Sequence, residues 1–135
     1  MKKLLTLEFI PCNADLALLL LRVGFGVSIM WLHGWGKLMK ILSGDLGFAD
    51  PVGLGGPATI IVAVLAEFIC PVFVVLGLGT RFASLLPVAT MAVILVKVSH
   101  FSIASGKGSE LALLYFAGFL AILFAGPGKY SFDRK

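Results

Sequence analysis

An all-α integral membrane protein, a four-helix bundle with an interfacial loop between its first two spans, is the fold class this sequence predicts. Three observations predict it. Of the 135 residues, 59% are hydrophobic and only 13% charged, and the mean hydropathy is +1.05. A soluble domain this small could not hide so much apolar surface from water. The charges gather between long segments that carry one charge or none, which is how a multi-span protein reads. The apolar runs are also continuous rather than alternating, which argues for helices over a β-barrel. The length allows one domain, 1–135.

The four spans are expected at about 15–38, 57–78, 82–103 and 109–125, each close to the roughly 20 residues that a helix needs to cross a bilayer. Ahead of them, "MKKLLTLEFIPC" resembles the head of a secretory signal, but Glu8 interrupts its apolar region and no small-residue cleavage site follows. It reads as an uncleaved basic N-terminus. The apolar body of span one carries one charge, Arg22, and span two carries one, Glu67. Span three has Lys97 and His100 near its end, and Glu110 opens span four.

The boundaries have local causes. Pro57 suits the first turn of a helix, where its missing N–H costs nothing. "GLGTR" at 77–81 and "ASGKGS" at 104–109 are tight reversals. The connection 39–56 is rich in glycine, holds Asp45, Asp50 and Pro51, and reads as an interfacial loop with a short amphipathic piece. "GPGKYSFDRK" cannot continue a helix and returns the chain to water.

Lysine and arginine counts give an orientation. Lys2, Lys3, Arg81, Lys129, Arg134 and Lys135 fall on one side, and Lys37, Lys40 and Lys107 on the other. The bias places both termini in the cytoplasm. The net charge of +4 forms no basic stripe of the kind nucleic acid would require. Cys12 and Cys70 form no CxxC pair and lie at different depths, so a disulfide between them is not expected. Small residues recur every fourth position at Ala117, Ala121 and Ala125 and at Gly24 and Ser28, a spacing that suits close helix packing in lipid.

The candidate site is a set of ionisable groups staggered in depth: Arg22, His33, Lys37, Glu67, Lys97, His100 and Glu110. An ionisable group in mid-membrane costs about 3 kcal/mol or more unless it faces the bundle and finds a partner. Glu67 needs such a partner, and Arg22 and Lys97 are the cations expected to supply it. Pro71, four residues on, cannot donate to the Glu67 carbonyl, so a kink is expected at the carboxylate. Arg22 and His33, eleven positions apart, share a helix face, and Lys97 and His100 are neighbours at three.

Two readings stay open. One is structural pairing, with the remaining cations snorkelling to the surface. The other is a polar pocket open toward the outer leaflet, holding a small polar or quinone-like molecule or passing protons, with Glu67, His33 and His100 as the candidate catalytic groups. No spacing resembles a metal site, and no metal is assigned. An axial haem pair from His33 and His100 is geometrically open, but no haem motif appears. Trp31, Trp35 and Tyr130 suit interfacial anchoring.

"LLLRVGFGVSIMWLHGWGKL", "GFADPVGLGGP", "AEFICPVFVVLGLGTRFASLLP", "VSHFS" and "GSELALLYFAGFLAILFAGPGKYSFD" together resemble the DoxX family over 15–133. The resemblance implies a four-helix protein of the bacterial inner membrane. It also implies a link to quinone-dependent oxidation or to complexes that manage thiol or oxidative stress. The positions carrying the family pattern are Arg22, His33, Gly34, Lys37, Glu67, Arg81, His100 and Glu110. Relatives often have glycines where this chain has "CPVF", which leaves Cys70 and Pro71 outside that pattern.

The function expected is therefore a redox-associated membrane subunit, at most part of a quinone-linked oxidoreductase, with quinone as the cofactor to test. Its partners would be the lipid bilayer, a soluble or membrane redox protein that supplies electrons, and a second copy if the chain forms a homo-oligomer; nucleic acid is not among them. The alternatives are a proton-coupled small-molecule transporter using Glu67, and a membrane scaffold for a soluble enzyme.

Overall fold

A computed structural model of the chain describes residues 6–7, 10–100 and 108–133. The N-terminal basic head, the end of span three beyond His100 and most of the "ASGKGS" reversal lie outside the described residues. So do five of the cations counted for orientation, Lys2, Lys3, Lys107, Arg134 and Lys135.

Among the described residues there are four helical rods and no strand. They are α1 (Ala14–Leu42), α2 (Gly56–Leu76), α3 (Thr80–Val98) and α4 (Ser109–Ala125). The first three are long and apolar enough to cross a membrane, and α4 has 17 residues, about 26 Å of helix at 1.5 Å per residue. Each rod packs against two others in the cyclic order α1, α2, α3, α4.

Local chemistry sets the ends. The Asn13 side chain caps α1 by accepting from the Leu16 N–H at 3.0 Å. Pro57 lies in the first turn of α2, as its fixed φ favours. Gly77 ends α2 in the left-handed conformation, φ +76°, and turns the chain into α3. Span one runs further than expected, to Leu42, so the amphipathic piece predicted after it is the last part of α1 itself. Span three ends earlier, at Val98.

Each of the three long helices contains one π-turn, Met30–Gly34 within α1, Leu65–Ile69 within α2 and Ile94–Val98 at the end of α3. In α2 the cause is visible. Pro71 cannot donate to the Glu67 carbonyl, and the Cys70 N–H reaches back five residues to Leu65 instead. The first two π-turns cross each other, with Gly34 of α1 against the Glu67 backbone and the Phe68 Cβ in α2.

Distribution of side chains is inverted relative to a water-soluble bundle. Phe82, Phe124, Trp31 and Leu20 lie outside, while Arg22, Glu67, Thr80, Ser84 and Ser109 are buried. Ile29, Val74, Met91, Leu95, Tyr115 and Phe119 fill the core. Of the small residues expected to pack closely, only Ser28 faces a neighbouring helix, at Tyr115 of α4. Ala117, Ala121, Ala125 and Gly24 are exposed, and nothing lies within 4 Å of a Cβ built on Gly24. The core face of α4 runs instead through Ala112, Tyr115, Gly118, Phe119 and Ile122, and the Phe25 ring seats on Gly118. Recurrence of small residues gives a spacing; the bulky residues between them decide which face turns inward.

The loop 43–55 is ordered by carboxylates. Asp50 accepts from the Leu54 N–H at 2.8 Å and the Gly55 N–H at 2.7 Å, and the Thr59 hydroxyl lies 3.1 Å away. Asp45 accepts from the Gly47 N–H at 2.9 Å, and Lys40 binds the Gly47 carbonyl. The bond from Gly55, with those from Leu54 and Thr59, holds the Asp50 carboxyl below its ordinary range.

Two outcomes follow from these contacts. A Cβ on Gly34 would overlap the Glu67 carbonyl oxygen and stand 2.8 Å from its carbon. Gly34→Ala is therefore expected to destabilise the protein by about 2 kcal/mol, and Gly24→Ala to stay within about 0.5 kcal/mol, both read by unfolding in mixed micelles. For Asp50, a depressed folded-state pKa means that its contribution is complete above the ordinary carboxylate range and is lost as pH falls through the lowered value. Amide exchange at Leu54 and Gly55, followed by NMR, should lose protection in that acidic window and, in Asp50→Ala, already at neutral pH.

Candidate functional site: an ion pair between the first two helices

The site is built where α1 and α2 cross at their π-turns. Lys37, on the turn of α1 after Gly34, forms an ion pair with Glu67, on the π-turn of α2. The Glu67 side chain is 3% exposed and that of Lys37 22%, so the carboxylate is withdrawn from the surroundings and the lysine closes over it. Glu67 lies eleven residues into α2, about 16 Å along a helix of this length. The lysine's long stem lets its ammonium come inward to meet it.

A lid and a floor complete the pair. The Phe48 ring, from the loop, lies with its centroid 5.8 Å from Lys37 Nζ, within the range of a cation–π contact. Beneath, Gly34 allows the α1 backbone to rest directly on the Glu67 carbonyl, the oxygen that Pro71 leaves without its helical donor. Three features of the sequence thus converge on one residue: the HG pair, the proline and the glutamate.

His33 stands one residue before Gly34 but faces the other neighbour of α1. Its ring meets that of Tyr115 edge-on, 5.7 Å between centroids. The Tyr115 hydroxyl donates to Ser28 Oγ at 3.2 Å, and Ser28 donates to the Phe25 carbonyl at 3.2 Å. A short polar chain therefore runs along α1 and α4 beside the ion pair.

The other members of the expected set lie elsewhere. Arg22 is fully buried toward the end of the bundle where α1 begins and α4 ends, fifteen residues before Lys37, or about 22 Å along α1. It donates to the Tyr130 carbonyl and lies against Gly77. The C-terminal segment is clasped there. The Asp133 N–H donates to the Gly77 carbonyl at 3.0 Å, the Asp133 carboxylate accepts from the Thr80 N–H at 3.2 Å, and the Lys129 N–H donates to Asp15 at 2.9 Å. Arg81, at the same end, donates to the carbonyls of Leu123 and Phe124, the last turn of α4. Lys97 is exposed on the last π-turn of α3, so neither cation expected to neutralise Glu67 does so. His100 falls beyond the end of α3 with φ +47° and is exposed, so it does not share a helix face with Lys97. Glu110 is exposed on the first turn of α4.

Phe48 and Tyr115 are the site residues that the sequence reading missed. A buried tyrosine hydroxyl needs a hydrogen-bonding partner, so Tyr115 in the midst of an apolar helix is a signal that was available. Nothing local distinguishes Phe48; its position depends on how the loop folds back.

Long apolar helices, an exterior of large apolar side chains and an interior holding an ion pair define a polytopic helical membrane protein with a polar centre. Residues 17–100 match the DoxX family, and the chain belongs to it. It is also similar to a protein of Haemophilus influenzae described as an uncharacterized protein, 29% identical over 113 residues, which are 77% of this chain and 79% of that one. No solved structure matches.

Lys37→Met leaves a buried carboxylate unpaired and is expected to cost about 3 kcal/mol in micelle unfolding. Lys97→Met, on an exposed position, should stay within about 0.5 kcal/mol. The reverse order of the two would return Glu67 to the partner first expected for it.

Proposed function

We propose that this DoxX-family protein is a redox-associated subunit of the bacterial inner membrane, acting with a quinone-linked or thiol-stress complex. In this reading the Lys37–Glu67 pair is the polar point at which a small carbonyl-bearing molecule is held and a proton exchanged. The observation that carries the reading is a buried, paired carboxylate between two otherwise apolar spans. Ionisable pairs of this kind are expensive in lipid and mark binding sites and proton routes.

The chemistry assigns roles to the chain's own groups. The Lys37 ammonium has three donors and can shift one from Glu67 to a ligand oxygen without leaving the carboxylate uncompensated. Glu67 then gives up or receives the proton that accompanies reduction or oxidation of a quinone head. His33, on the adjoining turn with its ring against Tyr115, is a further side chain of α1 able to carry a proton. Electrons come from a partner protein, since the chain carries no cofactor motif of its own. The cation bias of the full sequence, Lys2, Lys3, Arg81, Lys129, Arg134 and Lys135 against Lys37, Lys40 and Lys107, supports an orientation with both termini in the cytoplasm.

Titration of the purified protein in detergent with a short-chain ubiquinone tests this reading. Saturable binding is expected for wild type, weakened about tenfold or more in Glu67→Gln and in His33→Ala, a loss of about 1.4 kcal/mol or more. Binding unchanged by either substitution would remove these residues from the site. A protein that binds no quinone but drives proton-dependent efflux from vesicles, lost in Glu67→Gln, would move the assignment to a transporter.

A further inference from the structure

An apolar cavity lies beside the ion pair. It has a volume of about 310 Å³ and lies under the loop, between α2 and α3. Phe48, Ala49 and Pro51 roof it, Val62 and Ala63 form one wall and Ala89 the other. Of all the residues lining it, only Thr59 and Thr90 carry a polar side-chain atom. The Thr59 hydroxyl is already engaged, donating to the Gly55 carbonyl at 2.8 Å with the Asp50 carboxylate beside it. Such a space offers a ligand shape and dispersion contacts and almost nothing else. Its volume is at the lower end of the range for small-molecule sites, about 300–1,000 Å³.

Two links tie the cavity to the polar pair. Phe48 belongs to both, presenting its ring to the Lys37 ammonium and to the cavity. Ala63, in the cavity wall, is one helical turn before Glu67 on α2. The opposite margin, at Val52 and Leu54 of the loop and Val98 at the end of α3, is apolar and exposed on the outside of the bundle, so in a membrane-spanning protein the cavity opens where the loop meets the lipid. A molecule lying in both places would have a hydrocarbon chain entering from lipid and a small polar head at Lys37 and Glu67, with Phe48 at the junction.

The geometry points to an isoprenoid-chain site: the cavity receives the chain of a quinone-type lipid whose head is held by the Lys37–Glu67 pair. This rests on the function proposed above and adds to it the class of ligand, a chain-bearing quinone rather than a free head group. An acyl chain of a bulk phospholipid is the competing occupant. Its large charged head belongs at the membrane surface, whereas the polar group adjoining this cavity is withdrawn into the bundle.

The test compares ubiquinone-2, which has two isoprene units, with ubiquinone-0, which has none, by calorimetric titration in one detergent. Two cavity-filling variants, Ala89→Phe on α3 and Ala49→Phe on the loop, place bulk in one wall and in the roof, both at exposed positions. Each is expected to weaken ubiquinone-2 by roughly fivefold or more through lost chain contacts and to leave ubiquinone-0 within about twofold. In wild type, excess geraniol, a two-isoprene chain without the head, should displace ubiquinone-2 and not ubiquinone-0. That arm decides the matter if either variant fails to fold. Ubiquinone-2 binding that survives both fillings, or resists geraniol, overturns the chain site. It leaves the head site standing as long as Glu67→Gln still weakens both quinones. Loss of copurifying phospholipid from the filled variants, with ubiquinone-2 unaffected, also overturns it in favour of an acyl chain. Wild type that binds neither quinone overturns the inference together with the proposed function.

Discussion

A carboxylate placed halfway along an apolar helix has to be neutralised from within the bundle, and the arrangement of α1 against α2 follows from that need. Lys37 supplies the charge. To do so it must approach Glu67 closely, and the approach depends on two local devices. Pro71 disrupts the regular hydrogen bonding of α2 at Glu67, opening a π-turn there. Gly34 presents a bare backbone to that turn, so the two helices cross with α1 resting on the Glu67 carbonyl. Were either helix regular and bulky at this level, the lysine stem could not lie alongside and the carboxylate would face a wall of side chains.

Polar groups in this protein divide between two ends with different tasks. At the end where α1 begins and α4 ends, Arg22 and Arg81 hold backbone carbonyls, and the C-terminal segment is fastened to the turn between α2 and α3 through Asp133 and Gly77. Those contacts secure the helix ends, while Arg22 Nε and Nη1 and the Thr80 hydroxyl stay buried without a hydrogen-bond partner among the described residues. Toward the other end, the Lys37–Glu67 pair sits beneath Phe48, beside a cavity with almost no polar lining. In the function proposed above, the pair and the apolar cavity beside it together hold an amphipathic ligand. Buried pairs contribute little net stability compared with apolar replacements of the same shape.

How far the sequence reveals this depends on the range of the interactions involved. Membrane class and helix positions were legible because they rest on composition and on proline and glycine at turns, all local signals. Glu67 was legible as a residue in need of a partner. Which cation would meet it was not. Depth alone pointed to Arg22 and Lys97, whereas Lys37 reaches Glu67 because the π-turns rotate its face toward α2 and its stem carries the charge inward. Local geometry likewise removes His100 from the helix on which its spacing from Lys97 had been read. The alanine repeat on α4 misled for a similar reason: Tyr115 and Phe119, being larger, claim the interior and turn Ala117 and Ala121 outward. Phe48 depends on loop folding fixed by Asp50, and no pattern in the loop announces it.

The coupling energy between Lys37 and Glu67 tests this account most directly. A double-mutant cycle of Lys37→Met, Glu67→Leu and both together, measured by unfolding in mixed micelles, isolates it. The account predicts a favourable coupling of about 2 kcal/mol or more, with the double variant more stable than either single one. Additive effects, with coupling within about 0.5 kcal/mol of zero, would contradict it and show that Glu67 finds its charge partner elsewhere.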